Sequence, residues 1–484
     1  MLAVTGASLT EEMYGPMPEL DPDRLFPPDA RTREIARELF ATIANRPILS
    51  PHGHCDPAWF SENAAFSDPA HLFVVPDHYI FRMLVSQGVA LADLGVPRAD
   101  GAPVEQDPRT IWRRFAEHYH LFRGTPTRLW IDHALAEVFG VAAPLGADTA
   151  DEIYDQVAAR LSEPEYRPRA LFDRFGIEFL ATTDSALDDL SHHDRIREAG
   201  LGGRVVPTYR PDAAVDPEHG AFGENVAQLG EITDCDTGSW DGYLEAHRRR
   251  RAYFRERGAT ATDHGHPTAR TENLDPDVAE RLFRTCLAND ASAEEADAFR
   301  GQMLTEMARM SVEDGMTMQM HVGSHRNHSD EIRRLHGRDM GFDIPVRTEF
   351  VHALRPMLDA VGLEPGLKMI VFTLDETTFS RELAPLAGVY PSLILGPPWW
   401  FFDSPEGIMR FRQMTGETAG IYNTAGFNDD TRAFCSIPAR HDVSRRVDCA
   451  WLASLVADGR IRMDEAYEMA GELTTDLVKK AYGI

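Results

Sequence analysis

Short apolar runs, each closing on a polar or charged residue, recur along the chain. They read PILSPHGH (47–54), IEFLATTD (177–184), RVVPTYRPD (204–212), ATATDHGHP (259–267), TMQMHVGS (317–324), KMIVFTLD (368–375), SLILGPPWW (392–400) and IYNTAGFNDD (421–430). Runs of this length predict eight strands, the weakly apolar fourth being the least strand-like. Helical spacing fills most of the gaps. Ile35, Leu39 and Ile43 step by four through residues 30–45, ahead of the first run. Residues 185–200, 239–258, 350–362, 380–388 and 442–459 carry similar patterns, and Gly200 and Gly258 stand where a helix stops. Strands alternating with helices pair in parallel, and eight of them predict an α/β fold of the (β/α)8 TIM-barrel type. The rival, an open doubly wound sheet, announces itself with GxGxxG after its first strand, and that motif does not occur here.

The gap between the first two runs is too long for one crossover helix. Residues 71–88, 107–122, 127–140 and 150–176 read as helices, with apolar positions three and four apart. The predicted organisation has three parts. Residues 1–60 form an N-terminal helix and barrel strand one, 61–176 form a helical insertion, and 177–484 complete the barrel and its C-terminal helices.

Composition narrows the partners. The chain has 484 residues and a net charge of −28, which argues against nucleic acid, because phosphate binding needs a basic face. An anionic substrate would need local arginines to overcome that field. No apolar stretch is long enough to span a membrane, and MLAVTGASLTEEMYG has neither the basic start nor the apolar core of a secretory signal. The five cysteines, at 55, 235, 286, 435 and 449, include no CxxC pair. They suit a reducing cytoplasm rather than a disulfide framework, and Cys55 should point away from its neighbour His54.

Functional residues of a parallel barrel gather where its strands end. There the runs deliver His52 and His54, Asp184, Arg210, His264, His321, Trp399-Trp400, and Asp429 or Asp430. Two imidazoles at i and i+2 project to one side of a strand and can share a divalent ion. His321 and a strand-eight aspartate, Asp430, would complete that nitrogen–oxygen set, giving His52, His54, His321 and Asp430 as metal ligands. Taken singly, such residues are more often packing or surface groups. Asp184 fits helix capping as well as support of the site, His264 and His266 fit packing, and Trp399-Trp400 fit sugar stacking or packing at the barrel mouth.

HxH on strand one with Asp on strand eight resembles the amidohydrolase superfamily. The strings DHYIFRML, HLFRGTPTRLWIDH, LATTDSALDDL, VPTYRPD, QMHVGSHRN, LGPPWWFFDSPEG and GFNDDTRAF resemble, in order, the motifs of uronate isomerases. The resemblance spans almost the whole chain and includes a helical insertion after strand one. It implies interconversion of aldose and ketose hexuronates: D-glucuronate with D-fructuronate, and D-galacturonate with D-tagaturonate. It also implies Asp430 as the base moving a proton between C2 and C1, since Asp430-Thr431-Arg432 has the family spacing. Asp429 is the alternative if the register slips, and a metal-driven hydride shift is the rival route. His78 and Tyr79 match the family's acid/base pair. Arg432, Arg210 and Arg326 are candidate clamps for the sugar's carboxylate or hydroxyls, because a guanidinium binds carboxylate through two parallel bonds. Trp399 and Trp400 are candidate sugar contacts. One divalent ion is implied, zinc first, with manganese or iron also compatible, and so are a homo-oligomer and a small acid-sugar substrate. Two departures leave the preferred uronate open: Gly53 stands where the family often has cysteine, and Arg326-Asn327-His328 where it often has asparagines. The alternatives are a mononuclear metal-dependent hydrolase of the same superfamily and a non-catalytic sugar-acid binding protein.

Overall fold

The computed structural model describes residues 20–75 and 77–484, so the N-terminal stretch read above for a leader lies outside the described residues. Eleven short strands form among the described residues: β1 (Ile48–Ser50), β2 (Ile177–Ala181), β3 (Asp184–Ser185), β4 (Val205–Val206), β5 (Tyr209–Arg210), β6 (Ala261–His264), β7 (Thr317–Val322), β8 (Ser324–His325), β9 (Ile344–Pro345), β10 (Met369–Thr373) and β11 (Leu393–Leu395). All pair in parallel except β8 with β9. One ladder runs β1-β2-β4 and another β11-β10-β7-β6-β5-β3. β3 continues the chain of β2 and β5 that of β4, so the two ladders share barrel strands two and three. The second of these breaks at Pro207, which has no N–H to donate.

The eighth position is not a ladder. Among the described residues its one bridge joins Thr424 to Leu395. Closure onto the first strand comes from the His54 N–H donating to the Thr431 carbonyl at 2.8 Å. Gly426 explains the lost strand. Its φ is +75°, and a Cβ there would lie 2.6 Å from Val478 Cγ2 and 2.8 Å from the Leu473 carbonyl. Backbone turned that way leaves a strand, and the close approach excludes other side chains. The eight positions together close a (β/α)8 barrel.

Between β1 and β2 the ordered elements are helices, among them Pro57–Glu62, His78–Val85, Pro108–Glu117, Pro126–His133 and Ala150–Leu161. Their starts are chemically marked. Asp56, Asp107 and Thr125 each accept a backbone N–H at the N-cap, with proline next, where its missing donor costs nothing. Residues 71–88, read above as one helix, are two, because Asp77 caps a new start at His78. The first helix, Ala30–Ile43, packs Leu39 and Ile43 against Leu452 and Leu455 of the long helix Ile437–Ala457.

Candidate active site

His52 and His54 lie beyond the end of β1, not on it, because Pro51 stops the ladder after Ser50. They converge all the same. Nε2 of His52 is 3.3 Å and Nε2 of His54 is 3.1 Å from the same oxygen, Oδ1 of Asp430. Asp429 turns the other way. It is fully buried and bonded to His441 Nε2 at 3.0 Å. His321, at the end of β7, stacks on His52 with ring centroids 4.4 Å apart and on Phe372 at 4.0 Å.

One cavity of roughly 410 Å³ takes in eleven of the candidates named from the sequence: His52, His54, His78, Tyr79, Arg210, His321, Arg326, Trp399, Trp400, Asp430 and Arg432. Such a volume suits a small polar ligand. His264 does not reach it; the ring is buried and bonds to Thr262 Oγ1 at 3.0 Å. Asp184 caps no helix, because it sits on β3 and accepts from Thr182 Oγ1 at 2.7 Å.

Several lining residues escaped the sequence. Chief among them is Asp263, one residue before His264 and therefore on the opposite side of β6. Its Oδ1 accepts from His321 Nδ1 at 2.6 Å, and its Oδ2 faces Arg210 Nη1 at 3.2 Å. Alternation along β6 was the available signal. Asp212 and Asp343 also line the cavity; Asp212 accepts from Arg210 Nε at 2.7 Å and Asp343 from Arg326 Nη1 at 3.2 Å. Arg432 has no acidic partner among the described residues, and its buried Nε has no hydrogen bond.

Backbone strain gathers at the same place. Asn327, Asp339, Trp400 and Asp430 all have positive φ, +54°, +61°, +51° and +42°, and all line the cavity. Such conformations cost roughly 1–3 kcal/mol each and collect at functional sites.

The donor set fits a metal ion. Two groups, His52/His54/Asp430 and His52/Asp263/His321, keep their ligand atoms within 4.8 Å of one another. His321 Nε2 is buried without a partner, while Nδ1 is engaged by Asp263. A carboxylate on one ring nitrogen with a bare lone pair on the other is the arrangement of metal-binding histidines. Burial, aided by Arg432, brings His54 down to about 4 and His78 well below the usual histidine range. Burial likewise lowers His321, so His54, His78 and His321 are neutral at physiological pH, whereas at His52 the neighbouring Asp430 and Asp263 outweigh burial and raise it. Burial alone would raise the Asp430 carboxyl, but the close approach of the His52 and His54 imidazoles outweighs it and holds it well below the ordinary range.

The glucuronate isomerase family model matches residues 30–481. A uronate isomerase of Mesorhizobium japonicum is 63% identical, over 96% of this chain and 98% of its own. One from Rhizobium meliloti is 62% identical, over 96% and 99%. Among solved structures, glucuronate isomerase from Caulobacter crescentus is 55% identical with a TM-score of 0.95, covering 97% of both chains. Uronate isomerase from Thermotoga maritima is 27% identical with a TM-score of 0.88, covering 96% of this chain and 99% of that one. With the barrel, its convergent imidazoles and these near full-length matches in agreement, the chain belongs to the glucuronate isomerase family.

Proposed function

We propose that this protein interconverts aldose and ketose hexuronates, D-glucuronate with D-fructuronate and D-galacturonate with D-tagaturonate, by proton transfer between C2 and C1 through an enediol. The observation that carries the reading is Asp430, an ionised carboxylate whose Oδ1 faces both imidazoles of the HxH pair inside the cavity. Asp430 then serves as the base that takes the C2 proton and returns it to C1.

His78 and Tyr79 start the helix His78–Val85 at the cavity wall, Asp77 holding the Tyr79 N–H at 2.8 Å. His78, neutral, can accept or return a hydroxyl proton during ring opening, and the Tyr79 phenol, kept protonated by burial, can donate to an enediol oxygen. Arg432 is the first clamp for the sugar's carboxylate, since among the described residues its buried Nε has no hydrogen-bond partner. Arg210 and Arg326, each already bound to aspartate, orient hydroxyls instead. Trp399 and Trp400 close the wall and limit water.

His52, His54 and Asp430, with His321 beside them, would hold one divalent ion, zinc first and manganese or iron next, and the bound ion would polarise neighbouring sugar oxygens. Arg210 already faces Asp263, which supports one ion rather than two. A homo-oligomer acting in the cytoplasm belongs to the same reading, and light scattering on the purified protein checks the oligomer. The central test is a panel of D-hexuronates incubated with zinc-loaded protein in deuterated water and followed by NMR. Ketose carrying deuterium at C1 is expected. No conversion of any hexuronate would refute the reading.

A further inference from the structure

Arg440 is 2% exposed, in the helix that follows the Asp430 loop. Its Nη1 donates to Asp403 Oδ2 at 2.6 Å and to the Asp429 carbonyl at 3.0 Å, and its Nε donates to Ser436 Oγ at 3.3 Å. The guanidinium carbon lies 3.6 Å over the Trp130 ring and 5.4 Å from the Tyr79 ring. Each partner sits in a segment that serves the cavity. Asp403 follows the turn Trp400–Phe402, in which Trp400 has φ +51°, and Asp429 precedes Asp430, which has φ +42°. Trp130 braces Tyr79 edge-on, with centroids 5.6 Å apart. His441, the next residue, bonds the Asp429 side chain, so Asp429 is gripped through both its carbonyl and its carboxylate.

Left-handed backbone at a residue with a side chain persists only where the surroundings over-determine it. The two strained residues here, one carrying the carboxylate and one an aromatic wall, each adjoin an anchor of the same guanidinium. We infer that Arg440 is a positioning residue: it locks the Trp400 turn and the Asp430 loop together, and so sets where the Asp430 carboxylate stands relative to His52 and His54. A lysine could not do all of this, because its ammonium can donate to the two oxygens that Nη1 holds but has no second nitrogen for Ser436 and no planar group to lie on the Trp130 indole. The inference rests on the isomerase reading for what Asp430 does, but not for where Asp430 is held.

The test uses full-length protein and three variants, Arg440→Lys, Arg440→Ala and Asp403→Asn. Measurements are kcat and KM on the hexuronate that the parent converts, per folded protein judged by circular dichroism. The dissociation constant for Zn²⁺ titrated into metal-free protein is measured as well. Arg440→Lys should lower kcat by about 10- to 100-fold and weaken Zn²⁺ by a similar factor, the usual cost of losing a partner behind a site, with KM nearly unchanged. Guanidinium ion should restore part of kcat to Arg440→Ala, which a merely structural role does not predict. Asp403→Asn should move kcat the same way by less, and it decides the matter if Arg440→Lys fails to fold. Parent kcat and parent Zn²⁺ affinity in the variant that folds would overturn the inference. If the parent converts no hexuronate, the isomerase reading fails, and the Zn²⁺ titration alone judges the clamp.

Discussion

Asp184 offers a prediction whose size can be worked out. The carboxyl is 7% exposed on β3 and accepts from Thr182 Oγ1 at 2.7 Å. Burial raises it from 3.8 to about 7, with Asp188 and Asp56 adding repulsion against the Thr182 bond. His193 Nε2, 3.8 Å away, does not compensate, since burial takes His193 down to about 4 and leaves it neutral across the window. Between roughly pH 4 and 7 the native state therefore binds a proton that the unfolded chain has lost, and stability falls as pH rises. Above that window the penalty is constant, at roughly 4 kcal/mol. Asp184→Asn removes the titration, with its amide oxygen able to accept from Thr182. Any packing cost of the amide is the same at both pH values, so the difference between them isolates the charge. The variant's stability relative to the parent should improve by about 2.5 kcal/mol between about pH 5 and about pH 8. Equilibrium denaturant unfolding of both proteins at the two pH values measures it. Equal differences at both values would show that Asp184 is ionised in the native state and sink the reasoning.

Asp430→Asn should keep the fold, by circular dichroism, and lose about 10²- to 10⁴-fold in kcat on the preferred hexuronate, the usual weight of a positioned acid or base. Asp263→Asn leaves His321 only a neutral amide oxygen in place of the carboxylate and should cost about 10- to 100-fold in activity or Zn²⁺ affinity, read by steady-state kinetics and metal titration. Gly426→Ala, at φ +75° and with Val478 Cγ2 2.6 Å from the new Cβ, should lower stability by about 1–3 kcal/mol or more in denaturant unfolding.

Seven of the eight apolar runs are strands, and the weakest of them, 259–267, yields the four-residue β6. It looked poor because Thr262, Asp263 and His264 are polar yet buried, which a hydrophobic pattern cannot register. The eighth run looked sound because its apolar count hides what Gly426 does to the backbone. Strand ends led to residues that share the cavity, but they favoured His264 over Asp263, since choosing between adjacent residues needs the strand's register. The aspartates behind Arg210 and Arg326 come from the turn after β5 and the loop before β9, and loop partners follow no period. Arg440 was the least legible of all. Its helix is buried on nearly every side, so a buried charge within it leaves no amphipathic trace.

The acidity of the chain posed a difficulty for an anionic substrate, and the cavity restates it locally. Six aspartates (212, 216, 263, 339, 343 and 430) and four arginines (210, 326, 338 and 432) line it. Counting its carboxylates and guanidiniums alone, the lining carries two excess negative charges, a poor host for a carboxylate at close range. One divalent cation held by His52, His54 and Asp430 cancels that excess. The same step leaves Arg432, whose buried Nε has no hydrogen bond among the described residues, available to a carboxylate. Charge balance thus ties the proposed ion to substrate binding as well as to chemistry. It also explains why an acidic protein can put so many aspartates around an acid sugar: most of them are already committed to orienting the arginines and imidazoles that would meet it.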